Sequence, residues 1–254
     1  MPTSASRQSN WAYHRRVAFP GELGAATSRE AGSRTCAILV PLGSTEQHGP
    51  HLPLDTDTRI AAAVAGAART CLDGPERQWL LAPALSYGAS GEHEDFPGTI
   101  SIGLAALEQL LIEYGRSACR WAHRLVFVNG HGGNIAALTA AVDTLRHEGR
   151  DVAWCPCYVA GADAHAGFTE TSVLMHLSPD DVQTDQLVVG NTAPLAQLIG
   201  HLRTGGLATV SPVGVLGDPT TATATDGQRI FTDMVADAVR RIRVWSPGAG
   251  GLLR

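Results

Sequence analysis

Apolar runs of strand length alternate with helix-period segments along this chain. Residues 35–42, 79–85, 125–128 and 152–155 are the apolar runs, and each predicts a strand. Between them, residues 59–72 are Ala-rich and helical, and residues 135–147 predict a helix after a Gly-Gly pair. Residues 104–122 predict a long amphipathic helix, with Leu107, Leu110, Leu111 and Tyr114 on one face. Near the end of the chain Ile230, Phe231, Met234, Val235, Ala238, Val239 and Ile242 recur at helical spacing, and Arg240, Arg241 and Arg243 complement the helix dipole. Strands that read as solid apolar runs belong to a sheet covered on both faces. The pattern therefore predicts an α/β protein, a three-layer α/β/α sandwich on a mainly parallel sheet. Residues 205–227, rich in Gly, Pro and Thr, predict a long loop. No repeat or linker divides the chain, so residues 13–254 are expected to form one domain behind a loose tail, residues 1–12.

Composition narrows the function. With 44% hydrophobic and 17% charged residues the 254-residue chain is globular rather than disordered. A net charge of −5, with no Lys/Arg run longer than a pair, excludes the basic stripe of a nucleic-acid binder. The first ten residues lack the apolar stretch of a signal peptide, and the longest apolar stretch, residues 60–68, is too short to span a bilayer. A cytoplasmic protein with no membrane partner is expected. Five cysteines without a CxxC pair read as reduced, buried thiols, with a redox or metal role for Cys155-Pro-Cys157 as the lesser alternative.

Candidate chemistry is densest at residues 41–58, where Glu46, His48, His51, Asp55 and Asp57 stand among Gly and Pro directly after the first apolar run. Such oxygen and nitrogen donors suit zinc, manganese or ferrous iron and point to a metal-dependent hydrolase. Glu46 and His48, two apart in extended backbone, share a side, and Asp57 begins the next helix within reach of the same strand-end crevice. Singly they read as a solvated loop and a helix cap; together they read as ligands. Asp55 is a capping residue or a support, and His51 a candidate to orient a ligand from behind.

A second block, Phe127-Val-Asn-Gly-His131-Gly132-Gly133-Asn134, holds a histidine between glycines at a strand end, with helix-start amides able to stabilise negative charge. In the third, residues 163–172, His165 and Glu170 flank a predicted helix start. They are either a capped terminus with its acidic dipole partner or a second contribution to the site. In the fourth, residues 90–99, His93 lies in a polar loop that lines a pocket or is simply exposed. His14, His123, His147, His176 and His201 stand singly and carry no such pattern.

With these residues in hand, the chain resembles the creatininase (creatinine amidohydrolase) family. GSTEQHGPHLPL, the Asp nine residues after His48, SGEHEDFPGT, VNGHGGN, HAGFTETS and GDPTTATATDG match that family's blocks in order, from about residue 35 to about residue 230. The resemblance implies an α/β/α sandwich, two divalent metal ions per subunit (Zn and/or Fe(II), with Mn also suited) and a homo-oligomer, often a hexamer. It implies that Glu46, Asp57 and His131 hold one metal, that His48 and a bridging Asp57 hold the other, and that His165 is the catalytic histidine. Creatininases proper carry a further ligand, Glu, where this chain has Gly133; Glu170 is the candidate for that vacant role. Gly161 stands where they carry a clamping Trp, which argues against creatinine as substrate.

The closer likeness is to the creatininase-like peptidases of the mycofactocin system, through Tyr13-His-Arg-Arg-Val17, Gly21-Glu-Leu-Gly24 and the continuous GSTEQHGPHLPLDTDTRIA. Those enzymes hydrolyse the peptide bond before the cross-linked, Val-Tyr-derived unit of a modified ribosomal precursor peptide, releasing a cyclic redox-cofactor precursor. The expected chemistry is attack by a metal-activated water, with His165 protonating the departing amine and His93, Gly132, Gly133 and Asn134 contacting substrate. Hydrolysis of a small cyclic amide or a formamide is the alternative, and a non-catalytic metal-stabilised scaffold a third.

Overall fold

Strand β1 (Cys36–Leu42) is buried at every position, as a strand covered on both sides must be. In the computed structural model, which describes residues 21–32, 35–74 and 78–254, it is central to a parallel sheet of order β2–β1–β3–β4. The expected tail and the Tyr13–Val17 signature lie outside the described residues. β2 (Gln78–Leu81) sets Leu80 opposite Ile38, β3 (Arg124–Asn129) sets Phe127 opposite Val40, and β4 (Val152–Pro156) sets Trp154 opposite Phe127.

A short helix α1 (Ser28–Ala31), closed by a Thr27–Glu30 capping box, precedes β1. The longer helices are α2 (Thr56–Leu72), α3 (Gly103–Ala118), α4 (Ile135–His147), α5 (Phe168–Leu177), α6 (Leu195–Gly205) and α7 (Ala224–Val244). Period-2 alternation divides the strands between two cores. Ala37, Leu39, Val126, Val128 and Cys155 pack with α2, α5 and α7, whereas Ile38, Val40, Leu42, Leu125 and Phe127 pack with α3 and α4. Helices thus cover both faces of an α/β sandwich.

Several boundaries differ from those read from the sequence, each for a local reason. β2 stops at Leu81 rather than residue 85, because Pro83 interrupts the ladder; pairing resumes where Leu85 N–H donates to Pro41 O (2.9 Å). α2 starts at Thr56, so Asp57 lies inside its first turn and does not cap it. α3 ends at Ala118, and Leu110 is 39% exposed while Leu107 and Leu111 are buried, because the packed stripe turns toward Gly115 and Ala118. The segment 205–227 is not all loop. Leu216 pairs with His165, and α7 already begins at Ala224 under a Thr223 cap. Helix α6 has no counterpart in the sequence reading.

No helix of the described residues is long and apolar enough to cross a membrane. All five cysteines are free thiols. The chain leaves β1 toward β2 on one side and reaches β3 on the other, so the crevice between the carboxyl ends of β1 and β3 is the switch point where α/β proteins collect ligands.

Candidate metal centre

Three loops converge on that crevice. The β1–α2 loop brings Glu46 and His48, and the first turn of α2 brings Asp57. The residues after β3 bring His131, and the segment between β4 and α5 brings His165 and Glu170. Asn129 and Asn134 brace the second loop. The Asn129 amide donates to His131 O (2.7 Å), and the Asn134 amide donates to Gly43 O (3.0 Å) and accepts from Ala89 N–H (2.9 Å).

Glu46, His48, Asp57, His131 and His165 are all buried. Donor atoms of Glu46, Asp57 and His131 lie within 4.8 Å of one another, as do those of His48, Asp57 and Glu170, and those of Glu46, His48 and His165. Asp57 joins the first two groups by facing both ways. Its Oδ2 is 3.1 Å from His131 Nδ1 and its Oδ1 is 3.1 Å from His48 Nε2, while Ser44 Oγ–H donates to Oδ2 (2.8 Å).

The outer nitrogens of both imidazoles are already spent. His131 Nε2–H donates to Ala89 O (3.0 Å) and His48 Nδ1–H to Glu46 O (3.1 Å), which leaves their other nitrogens facing carboxylates. Neither oxygen of the Glu46 side chain has a hydrogen-bond donor among the described residues, although the nearest ring nitrogen, His131 Nδ1, is 3.2 Å away. A buried carboxylate without a donor, opposite two imidazole nitrogens with their backs hydrogen-bonded, is the arrangement a cation stabilises.

Titration behaviour follows from this crowding. Burial opposes a charge on His48, but the Asp57 carboxylate outweighs it and pushes the imidazole up to about 10. Burial likewise opposes, and Glu46 and Asp57 reverse, the shift of His131, which ends well above its ordinary value. Burial would raise Glu46, yet the charge of His131 holds it at about 2. Burial lifts Glu170 to about 7 against the pull of His48. His165 is driven well below its ordinary value, by burial and then by the charges of His48 and His93, so it is neutral at pH 7.

Other residues singled out in the sequence take different places. Gly133 has no room for a side chain: a Cβ there would collide with Ala89 O and His131 Nε2 and crowd Glu92. Glu170 instead stands with His48 and Asp57, its carboxylate held by Ala166 N–H (2.6 Å). Ala166 adopts φ 51°, a left-handed conformation that fixes the turn between His165 and Glu170. His93 is buried, with Nε2 3.4 Å from Glu46 Oε1. His51 faces α5, bonding Thr171 Oγ1 (2.9 Å), and Asp55 turns outward to Arg59 (2.7 Å).

A cavity of about 850 Å³ opens over the centre. His131, Gly132 and Glu170 line it; of the other expected substrate contacts, His93, Gly133 and Asn134 do not. Tyr158, Ile135 and Leu195 form an apolar part of the lining and are 53%, 45% and 45% exposed. Sequence reading misses these three, because lone apolar residues carry no signal of what they border. It also misses Gln47, whose buried side chain reaches both His93 and His165.

Carboxylate and imidazole donors gathered at the strand ends of a parallel sheet form a candidate metal centre of the hydrolase type on an α/β fold. Residues 22–242 match the family model described as creatinine amidohydrolase, and the chain belongs to the creatininase family. It is 64% identical over 245 residues to the mycofactocin precursor peptide peptidase of Mycolicibacterium smegmatis, a match covering 96% of this chain and 99% of that protein. The protein of the same name from Mycobacterium tuberculosis is 61% identical over 249 residues, with the same coverages. Among solved structures, a manganese creatininase superposes with a TM-score of 0.74 at 25% identity, over 90% of this chain and 99% of the other.

Proposed function

We propose that this protein is a metal-dependent peptidase of mycofactocin biosynthesis. It hydrolyses the peptide bond before the cross-linked Val-Tyr-derived unit of the modified precursor peptide. Likeness to peptidases of that name along nearly the whole chain supports the substrate. The observation that carries the chemistry is the buried Glu46 carboxylate without a donor, beside Asp57 and two imidazole nitrogens. The residues fit two divalent cations, zinc and/or ferrous iron, with manganese also suited to the donors. Glu46, Asp57 and His131 would hold one, and His48, Asp57 and Glu170 the other, Asp57 serving both. Bound there, such ions lower the pKa of water toward neutrality and polarise a carbonyl oxygen.

The chain's own residues supply the rest. His165, neutral and beside Glu46, takes the proton given up by the attacking water and returns it to the departing amine. The apolar lining from Ile135, Tyr158 and Leu195 suits a ring-bearing product unit, and 850 Å³ is more room than a small cyclic amide needs. Five free thiols accord with a cytoplasmic enzyme, and the family likeness with a homo-oligomer.

The decisive experiment incubates metal-analysed protein with the cross-linked precursor peptide and follows the released unit by mass spectrometry. Release with zinc, ferrous iron or manganese supports the reading; no release with any of them defeats it. Turnover of creatinine or a formamide without peptide cleavage would transfer the activity to a small-amide hydrolase.

A second expectation concerns protons. In metal-free protein His48 and His131 are protonated at neutral pH, and Glu170 partly so. Cation binding is therefore expected to release both imidazole protons and a share from Glu170. Calorimetry in buffers of different ionisation heat measures the release, and a proton-neutral binding event would contradict the ligand set. His48 rises from 6.5 to about 10 on folding, so its contribution to metal-free stability is complete below about pH 6.5 and is lost as pH climbs through about 10.

A further inference from the structure

Gln47 sits between two donor residues, is itself 5% exposed, and uses every polar atom of its side chain. Its Oε1 accepts from Gly49 N–H (2.9 Å), which fixes the amide orientation and turns Nε2 toward three neighbours. These are Gly214 O at 3.0 Å, His93 Nδ1 at 3.0 Å and His165 Nε2 at 3.1 Å. An amide nitrogen has two hydrogens, so one neighbour receives none. Gly214 O can only accept, and it takes the first.

His165 Nε2 also lies 2.9 Å from Gln47 O, another atom that can only accept, so this nitrogen carries its own hydrogen and donates it there. The second amide hydrogen of Gln47 therefore goes to His93 Nδ1, which must be bare. Toward the centre the two rings then present opposite faces. His165 offers a bare Nδ1 at 3.8 Å from Glu46 Oε1, and His93 turns Nε2–H toward the same oxygen at 3.4 Å without the alignment of a hydrogen bond.

We infer that Gln47 is a positioning residue that sets the tautomers of His165 and His93, giving the centre one proton acceptor and one hydrogen-bond donor. The surroundings are built for it. Gly214, at φ +75°, presents its carbonyl where a Cβ would collide with the Gln47 amide. His165 lies between His48 and His93, at ring-centroid distances of 4.4 and 4.5 Å and with the rings tilted by 40° and 58°, so neighbours crowd it on two sides. In the reaction, the bare His165 nitrogen receives a proton, while the His93 N–H stays turned toward the Glu46 carboxylate. Neither ring could be read this way from the sequence, since an imidazole bears its hydrogen on either nitrogen.

The test compares zinc-loaded wild type, Gln47→Met and Gln47→Glu, each with ¹⁵N-labelled histidine, by long-range ¹H–¹⁵N spectra without substrate. Wild type is expected to show bare Nδ1 and protonated Nε2 on both rings. In Gln47→Met, which removes the donor, His93 should become a mixture of tautomers. In Gln47→Glu, which replaces a donor with an acceptor, its Nδ1 should be protonated. Metal content should stay at the wild-type value. A wild-type His93 protonated at Nδ1, or a bare His93 Nδ1 retained in both variants, overturns the inference; loss of metal in both variants reduces Gln47 to a structural role and overturns it too. The kinetic arm rests on the peptidase reading: kcat should fall about 10- to 100-fold in Gln47→Met with KM within about twofold. Tautomers that shift as expected in a protein that never cleaves the peptide would keep this inference and sink that reading alone.

Discussion

Asp57→Ala should leave a protein that neither retains its metals nor hydrolyses its amide substrate. The two oxygens of Asp57 face different imidazoles, His131 through Oδ2 and His48 through Oδ1, both at 3.1 Å. Removing it takes a donor from both groups and leaves His48 and His131 lifted by one carboxylate fewer. Lewis-acid stabilisation of several kcal/mol goes with the metals, so kcat/KM should fall at least about a thousandfold. Metal analysis after dialysis, with kcat/KM on the modified peptide, measures both effects. The carboxylate also accepts from Ser44, so Asp57→Asn, which keeps the shape, is the control for misfolding. Full metal content or full activity in either well-folded variant would remove Asp57 from the centre.

His165→Ala should separate proton transfer from metal retention. His165 is neutral at pH 7 and 3.8 Å from Glu46, yet its Nε2 is tied to the Gln47 carbonyl, which places it beside the centre rather than across it. Loss of a general acid–base group lowers kcat by about 10²–10⁴-fold. Both metals should remain, because each expected ligand group is complete without this ring. The rival outcome is concrete, since His165 also has a donor atom within 4.8 Å of Glu46 and His48 donors. If the variant loses a metal as well as activity, His165 is a ligand and the proton carrier must be sought elsewhere.

The candidate ligand residues were legible because their chemistry and their placement coincide. Glu46, His48 and Asp57 crowd one loop after a solid apolar strand, and His131 ends another such strand between glycines. The layers were legible for a related reason: a parallel strand buried on both sides has no polar positions to confuse it, as β1 illustrates. Glu170 emerged as a candidate through a missing partner, Gly133, and the fold gives the reason for that absence in the collision any side chain there would make with Ala89 and His131.

What escaped the sequence depends on three-dimensional company. Asn134 looked like a substrate contact, but its amide is consumed by Gly43 and Ala89, partners far away in the chain. Gln47 neither titrates nor binds metal strongly, so nothing in its identity advertises two hydrogen bonds to imidazoles. Helix α6 packs mainly through Leu198 and a small satellite core with Leu207 and Leu216, too little apolar periodicity to separate it from its loops. β2 ended early because a proline cancels a ladder bond whatever the hydrophobicity around it.

The division of labour along the sheet has a consequence for substrate choice. Glu46, His48 and His131 follow the two inner strands, β1 and β3, and Tyr158 shares the segment after the edge strand β4 with His165, whereas Leu195 opens α6, which contributes no donor atom to the three groups. A change at Leu195 can therefore reshape the mouth of the cavity without touching a loop that carries the centre, whereas Tyr158 and Ile135 are tied to such loops. The start of α6 is thus the place where the choice of substrate can be altered at the least risk to the centre.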